Sequence, residues 1–266
     1  MNGRLYAKHR LIGTRVEKPL GRVRWMLKTP ARMKHPELWA MHLESSYIDE
    51  ALDHLLQPGW SCIDGGCHIG STLAKFVGKC PGGHHLAIEP VPSKAAWLRN
   101  RYPNVDVQQV ALSDQNGTLT FYEDSKRPGF SSLRPPDSSS DILSYDTDVR
   151  LLDDLVGDRA FDFVKLDLEG AELPALRGAT ALIERCHPAM LFECGVQTGL
   201  DAFGYERVDL WDFLVGTGYD VYLALDFVFG REPMSRDEFR RAGTYPFPGF
   251  NYFAIPAGTP IKRLRQ

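Results

Sequence analysis

Apolar positions change period repeatedly along this chain. Ile48, Ala51, Leu52 and Leu55 recur at helical spacing, and Pro58-Gly59 closes that helix. Residues 60–63 then form a short apolar run, the first expected strand. The same reading places a helix after Gly70, a strand at His85-Leu-Ala-Ile-Glu89, a helix over 93–101 and a strand over 105–112. Residues 117–122 alternate like an edge strand. Two further apolar runs, 161–167 and 189–193, each end in or beside an acid and are separated by a helix expected over 171–185. Residues 208–214 read as a helix closed by Gly216 and Gly218, and 221–229 and 252–255 as the last strands.

Strand and helix in alternation imply an α/β fold, with a mostly parallel sheet of about seven strands and helices on both faces. The expected organisation is a basic N-terminal helical extension over residues 1–44, one main domain over 45–258 and a tail over 259–266. Residues 125–146, rich in Ser, Pro and Asp at first, are expected to form a lid-like loop.

At 266 residues and 43% hydrophobic, the chain has material for one sizeable core. Its net charge of −3 argues against a nucleic-acid binder that works by bulk charge. The charge is uneven, however: ten Lys or Arg lie in the first 34 residues, against Glu17 alone. That segment is a candidate for peripheral contact with an anionic membrane, the plainer alternative being a solvated or packed helix. Five scattered cysteines without a C-x-x-C suit a reducing, cytoplasmic setting, and no apolar run approaches the roughly 20 residues of a spanning helix.

Candidate chemistry centres on Ile63-Asp-Gly-Gly-Cys-His-Ile-Gly70, the turn after the first strand. Ligands of open parallel sheets bind there. The dinucleotide pattern G-x-G-x-x-G fails, because Cys67 stands where the middle glycine must let backbone approach a pyrophosphate. No Gly-Lys-Ser/Thr follows, so a P-loop fails too. Asp64 would repel a pyrophosphate and attract an ammonium. Glu89, ending the second strand, suits a ribose diol, and Ser113 and Asp114 offer polar contacts to an adenine edge, although a simple turn explains them equally well. A cofactor with adenosine, an amino-acid end and no phosphate answers this description, and S-adenosylmethionine is the candidate.

A second acidic run, Lys165-Leu-Asp-Leu-Glu-Gly-Ala-Glu-Leu-Pro-Ala-Leu-Arg-Gly-Ala179, puts Lys165, Asp167 and Glu169 on one side while the strand lasts. Lys165 would be costly to bury alone and is expected to pair with an acid. Glu172 is expected as a helix-terminus acid.

With these motifs together, residues 45–256 resemble the FkbM family of S-adenosylmethionine-dependent methyltransferases. The resemblance rests on 63–70, Ile88-Glu-Pro90, Ala111-Leu-Ser-Asp114, 165–179, 188–193 and Asn251-Tyr-Phe-Ala254. It implies a Rossmann-like class I methyltransferase fold and, usually, O-methylation of a hydroxyl on a sugar or other specialised metabolite. By position it implies a cofactor site of Asp64, Gly65, Gly66, His68, Gly70, Glu89, Pro90, Ser113, Asp114 and Asp167. Cys67-His68 departs from the family's more frequent Ala-Asn.

A hydroxyl is a poor nucleophile while protonated, so a base within hydrogen-bond reach is needed; Asp167, Glu169 and Glu193 are the candidates. A divalent metal between Asp167 and Glu193 is a minor alternative with only two evident ligands, and no metal is assigned. The expected partner is a small-molecule or glycan acceptor. A nicotinamide-dependent oxidoreductase and a non-catalytic cofactor-binding module are the rival readings.

Overall fold

The computed structural model describes residues 32–124, 142–195 and 203–265. Most of the basic segment, residues 125–141 of the expected lid and residues 196–202 lie outside these. The described chain builds α1 (Trp39–Leu55), β1 (Cys62–Gly65), α2 (Ser71–Lys79), β2 (Leu86–Ile88), α3 (Pro92–Arg101), β3 (Asp106–Gln108), β4 (Ala111–Leu112), β5 (Gly117–Asp124) and β6 (Ile142–Arg150). There follow α4 (Leu152–Val156), β7 (Phe163–Leu166), α5 (Glu172–Arg177), α6 (Thr180–Cys186), β8 (Ala189–Glu193), α7 (Arg207–Gly216), β9 (Tyr219–Leu223), α8 (Ala224–Val228), α9 (Arg236–Arg241) and β10 (Asn251–Pro256).

Seven strands form the main sheet in the order β3-β2-β1-β7-β8-β10-β9. All run parallel except β10, which pairs antiparallel with both β8 and β9. The chain moves outward from β1 to β3 and then returns to lay β7 on the other side of β1. That reversal opens a crevice at the carboxyl ends of β1 and β7.

Period-two alternation sorts the strand side chains onto two cores. Ile63, Val164, Leu166, Met190, Phe192 and Tyr252 meet α4 to α7 and Phe239 on one face. Cys62, Phe163, Leu191 and Phe253 meet α1, α2 and α8 on the other. Helices therefore cover both faces, as the strand and helix alternation implied.

Several expectations are corrected. The single strand over 105–112 is two: β3 stays on the edge of the main sheet, whereas β4 leaves it and pairs parallel with β6. The run 117–122 is an edge strand, as its alternation suggests, but of a separate three-stranded sheet in which β5 pairs antiparallel with β6. Residues 142–146, expected in the lid, belong to β6.

The helix over 171–185 is broken at Gly178. A Cβ there would lie 2.2 Å from the Ser113 carbonyl oxygen, so the chain passes close to backbone at that point. The strand over 221–229 ends at Leu223 and continues as α8. Its unbroken apolar run fits either element, and Ala224, Phe227 and Val228 are buried at helical spacing. At the N-terminus α1 begins at Trp39, ahead of the boundary expected at residue 45, because Pro36 starts a 3-10 turn that leads into it. The last residues are packed on α1 and α8: the Leu264 N–H donates to the Val228 carbonyl at 2.9 Å, and Arg265 Nε lies 2.6 Å from Glu50 Oε2.

Candidate functional site

A cavity of about 290 Å³ opens at the carboxyl ends of β1, β2 and β7. Its floor is the turn after β1. Gly66 has φ +70, and a Cβ there would sit 1.8 Å from the Asp167 carbonyl oxygen, so this close approach needs glycine. The Gly66 and Cys67 N–H groups both donate to the Ile88 carbonyl, at 3.0 and 3.1 Å, and tie the turn to β2. His68 is left-handed, with φ +52, and its N–H donates to Glu89 Oε2 at 2.7 Å. Glu89 Oε1 accepts from the Val91 N–H at 3.0 Å. Burial pushes the Glu89 carboxyl up to about 7, although Lys94 and the two N–H bonds favour its charge.

Lys165 joins the two sides of the crevice. Register places it opposite Asp64, and its Nζ lies 3.4 Å from Asp64 Oδ1, 3.2 Å from Asp167 Oδ2 and 3.0 Å from the Gly66 carbonyl oxygen. Burial alone would lower this ammonium, but Asp167 and Asp64 outweigh it and raise its pKa. The expected pairing of Lys165 with an acid is thus a triad with two. Asp64 itself is fully buried beneath the floor, with Lys165 and the Cys67 thiol as polar neighbours. It pairs with Lys165 and is not among the residues that line the cavity.

The remaining acids follow β7 and β8. Burial opposes ionisation of Asp167, but Lys165 and a hydrogen bond with Glu193 hold its carboxyl below the usual range. Glu193 is pushed up to about 10, by burial and by Asp167, so it is the neutral, donating member of that pair at neutral pH. Glu169 lines the cavity with φ +53, a left-handed conformation that costs a non-glycine residue roughly 1–3 kcal/mol. Burial and then the Asp167 charge push it up to about 7. Glu172 opens α5 as expected, but it is buried, accepts the Leu168 N–H at 2.7 Å and is pushed up to about 8 by burial.

Of the expected site residues, Gly66, His68, Glu89, Pro90, Asp167 and Glu169 line the cavity together. Gly65 lies in β1 below them, and Gly70, with φ +86, precedes the first turn of α2. Ser113 and Asp114 are outside the wall: Ser113 Oγ donates to Asp114, and Val110, Ala111 and Leu112 line the cavity in their place. Glu193 stands behind Asp167. Among the wall residues that the sequence did not mark, two stand out. Lys94 is buried near the start of α3, and Phe121 comes from β5, outside the main sheet. The alternation that marks β5 puts Phe121 and Leu119 on one side, but says nothing of where that sheet docks.

The wall therefore has two characters. Ile88, Val110, Leu112 and Phe121 make one part apolar; His68, Glu89, Lys94, Asp167 and Glu169 make the other polar. A flat base with a sugar and a charged amino-acid end is amphipathic in the same sense, and these residues fit it.

A family model described as the methyltransferase FkbM domain matches residues 64–221. The chain belongs to this FkbM family. Its cofactor is S-adenosylmethionine. Methyltransferase 1 of Beauveria bassiana is 29% identical over 160 residues, which cover 50% of this chain and 64% of that protein. The 2-O-methyltransferase NoeI of Sinorhizobium fredii is 29% identical over 143 residues, 47% of this chain and 59% of that one. The match thus spans less than two thirds of either relative. An FkbM methyltransferase structure from Methylobacillus flagellatus aligns with 74% of this chain and 44% of its own, at 20% identity and a TM-score of 0.46. Among the described residues no helix is long and apolar enough to cross a membrane.

Proposed function

We propose that this chain is an S-adenosylmethionine-dependent O-methyltransferase acting on a hydroxyl of a sugar-containing or other specialised metabolite. One observation carries the reading: Glu169, a carboxyl tuned to about 7, stands in the cavity wall beside the Asp167–Glu193 pair. A general base works best with a pKa near the operating pH, and Glu169 has it. The NoeI relative is named a 2-O-methyltransferase, which supports the same acceptor chemistry.

In this reading Gly66, His68, Glu89, Pro90 and Asp167 hold the cofactor's sugar and amino-acid parts, and Ile88, Val110, Leu112 and Phe121 hold its base. S-adenosylmethionine, when bound, would supply a methyl carbon whose bond to sulfur breaks as the acceptor oxygen bonds to it, and the neutral thioether S-adenosylhomocysteine would leave without needing a proton. Glu89 accepts from a ribose diol in its ionised form. Asp167, kept anionic by Lys165, gives the cavity a fixed negative charge. Glu169 takes the hydroxyl proton as the acceptor oxygen bonds to carbon, and Glu193 keeps its own proton throughout. Exclusion of water and alignment of the acceptor supply the rest of the rate.

The test is transfer of labelled methyl to methyl glycosides. Because Glu169 must be ionised, activity rises with pH through about 7 and then levels. With S-adenosylmethionine saturating, so that the titration of Glu89 does not limit the rate, Glu169→Gln should lose roughly 10²- to 10⁴-fold in kcat and lose that rising limb. A variant with the wild-type rate and profile would remove Glu169 as the base.

A further inference from the structure

The acids described above continue as a row beyond Glu193. Asn251 opens β10 directly opposite Glu193 in the antiparallel ladder. The Cys194 N–H donates to the Phe250 carbonyl at 2.7 Å, so residues 194 and 250 form the hydrogen-bonded pair and 193 and 251 the adjacent non-bonded one. Side chains of a non-bonded pair share a face and approach most closely. Asn251 therefore stands beside Glu193, on the side of Glu193 away from the cofactor cavity, in the sequence Lys165, Asp167, Glu193, Asn251 across β7, β8 and β10.

Its amide is held in one orientation. Glu44, on α1, accepts the Phe250 and Asn251 backbone N–H groups at 2.6 and 2.7 Å through Oε1, and the Asn251 Nδ2 at 3.1 Å through Oε2. Nδ2 is thereby turned toward Glu44, which fixes where the carbonyl end of the amide points. Glu44 thus fixes the start of β10 and the asparagine side chain together, with three bonds offsetting the desolvation of a half-buried carboxyl.

We propose that Asn251 is an acceptor-binding residue that hydrogen-bonds a second hydroxyl of a polyhydroxylated ring, and that Glu44 is its positioning residue. The proposal rests on the methyltransferase reading and extends it: the methylated hydroxyl lies by Glu169, and a hydroxyl farther across the ring lies by Asn251, which stands two strand spacings, about 10 Å, from Asp167. Through Glu44, which bonds the β10 backbone as well as the Asn251 amide, α1 takes part in acceptor recognition.

The experiment uses the full chain saturated with S-adenosylhomocysteine and titrated with methyl α-glycosides of glucose, mannose, galactose and fucose, followed by saturation-transfer NMR. At least one glycoside should bind. Asn251→Ala should weaken it roughly ten-fold, the loss of about one hydrogen bond to a buried partner, with S-adenosylhomocysteine affinity unchanged. Glu44→Gln should weaken glycoside binding in the wild-type background and have no further effect in Asn251→Ala, whereas a merely structural Glu44 would act equally in both. Unchanged glycoside affinity in Asn251→Ala, or absence of glycoside binding by protein that does bind S-adenosylhomocysteine, would overturn the inference. Protein that fails to bind S-adenosylhomocysteine would instead overturn the methyltransferase reading.

Discussion

Glu172 shows how far burial moves a single group in this site. Its ordinary value of 4.5 is raised to about 8, so across that window the folded chain keeps a proton that the unfolded chain has released. The folded state binds more protons there, and stability falls as pH rises, by at most about 1.4 kcal/mol per pH unit from this one group. Glu172→Gln keeps an acceptor for the Leu168 N–H and removes the titration. Its melting temperature should therefore gain on wild type between about pH 5 and pH 8.5, by thermal unfolding at matched ionic strength; parallel curves would show that the proton is not held. At this scale the sequence was partly legible. The identities of Asp167, Glu169 and Glu193 marked them as acids at strand ends, but not which one is poised to accept a proton. That depends on Lys165, whose ammonium keeps Asp167 charged while Glu169 and Glu193 are pushed up.

Elements decide which walls the cavity has. The main-sheet strands were readable because each is a short apolar run ending at the ligand face. Failures fell where one pattern admits two structures, as at α8, or where a glycine serves a distant backbone, as Gly178 serves Ser113. The capping box of α9, in which Ser235 and Glu238 bond each other's backbone N–H, was present in the sequence as S-x-x-E and went unread. β5 was legible as a strand but its docking was not, and this matters most for the cavity, since its Phe121 closes the apolar part and stacks on Tyr145 at 6.0 Å. If the cofactor base lies there, Phe121→Ala should weaken S-adenosylhomocysteine roughly ten-fold or more while leaving S-ribosylhomocysteine, which lacks the base, little changed. Equal loss for both ligands would mean that the substitution damages the fold of the small sheet.

For the whole molecule, strand order explains why the chemistry collects where it does. The reversal between β1 and β7 opens the crevice, and the antiparallel β10 brings Asn251 to the same edge as Glu193. From one chain's sequence the parallel α/β class and the ligand edge followed from alternation and from the glycine turn. Register did not, and without register neither the Asp64–Lys165–Asp167 triad nor the Glu193–Asn251 pairing is visible. The account stands on the claim that this crevice seats S-adenosylmethionine. Titration calorimetry of the full chain with S-adenosylhomocysteine tests it most directly, at about pH 8 where Glu89 is mostly ionised. One site per chain is predicted, with affinity roughly ten-fold or more weaker in Glu89→Ala; absence of binding, or equal affinity in the variant, would contradict it.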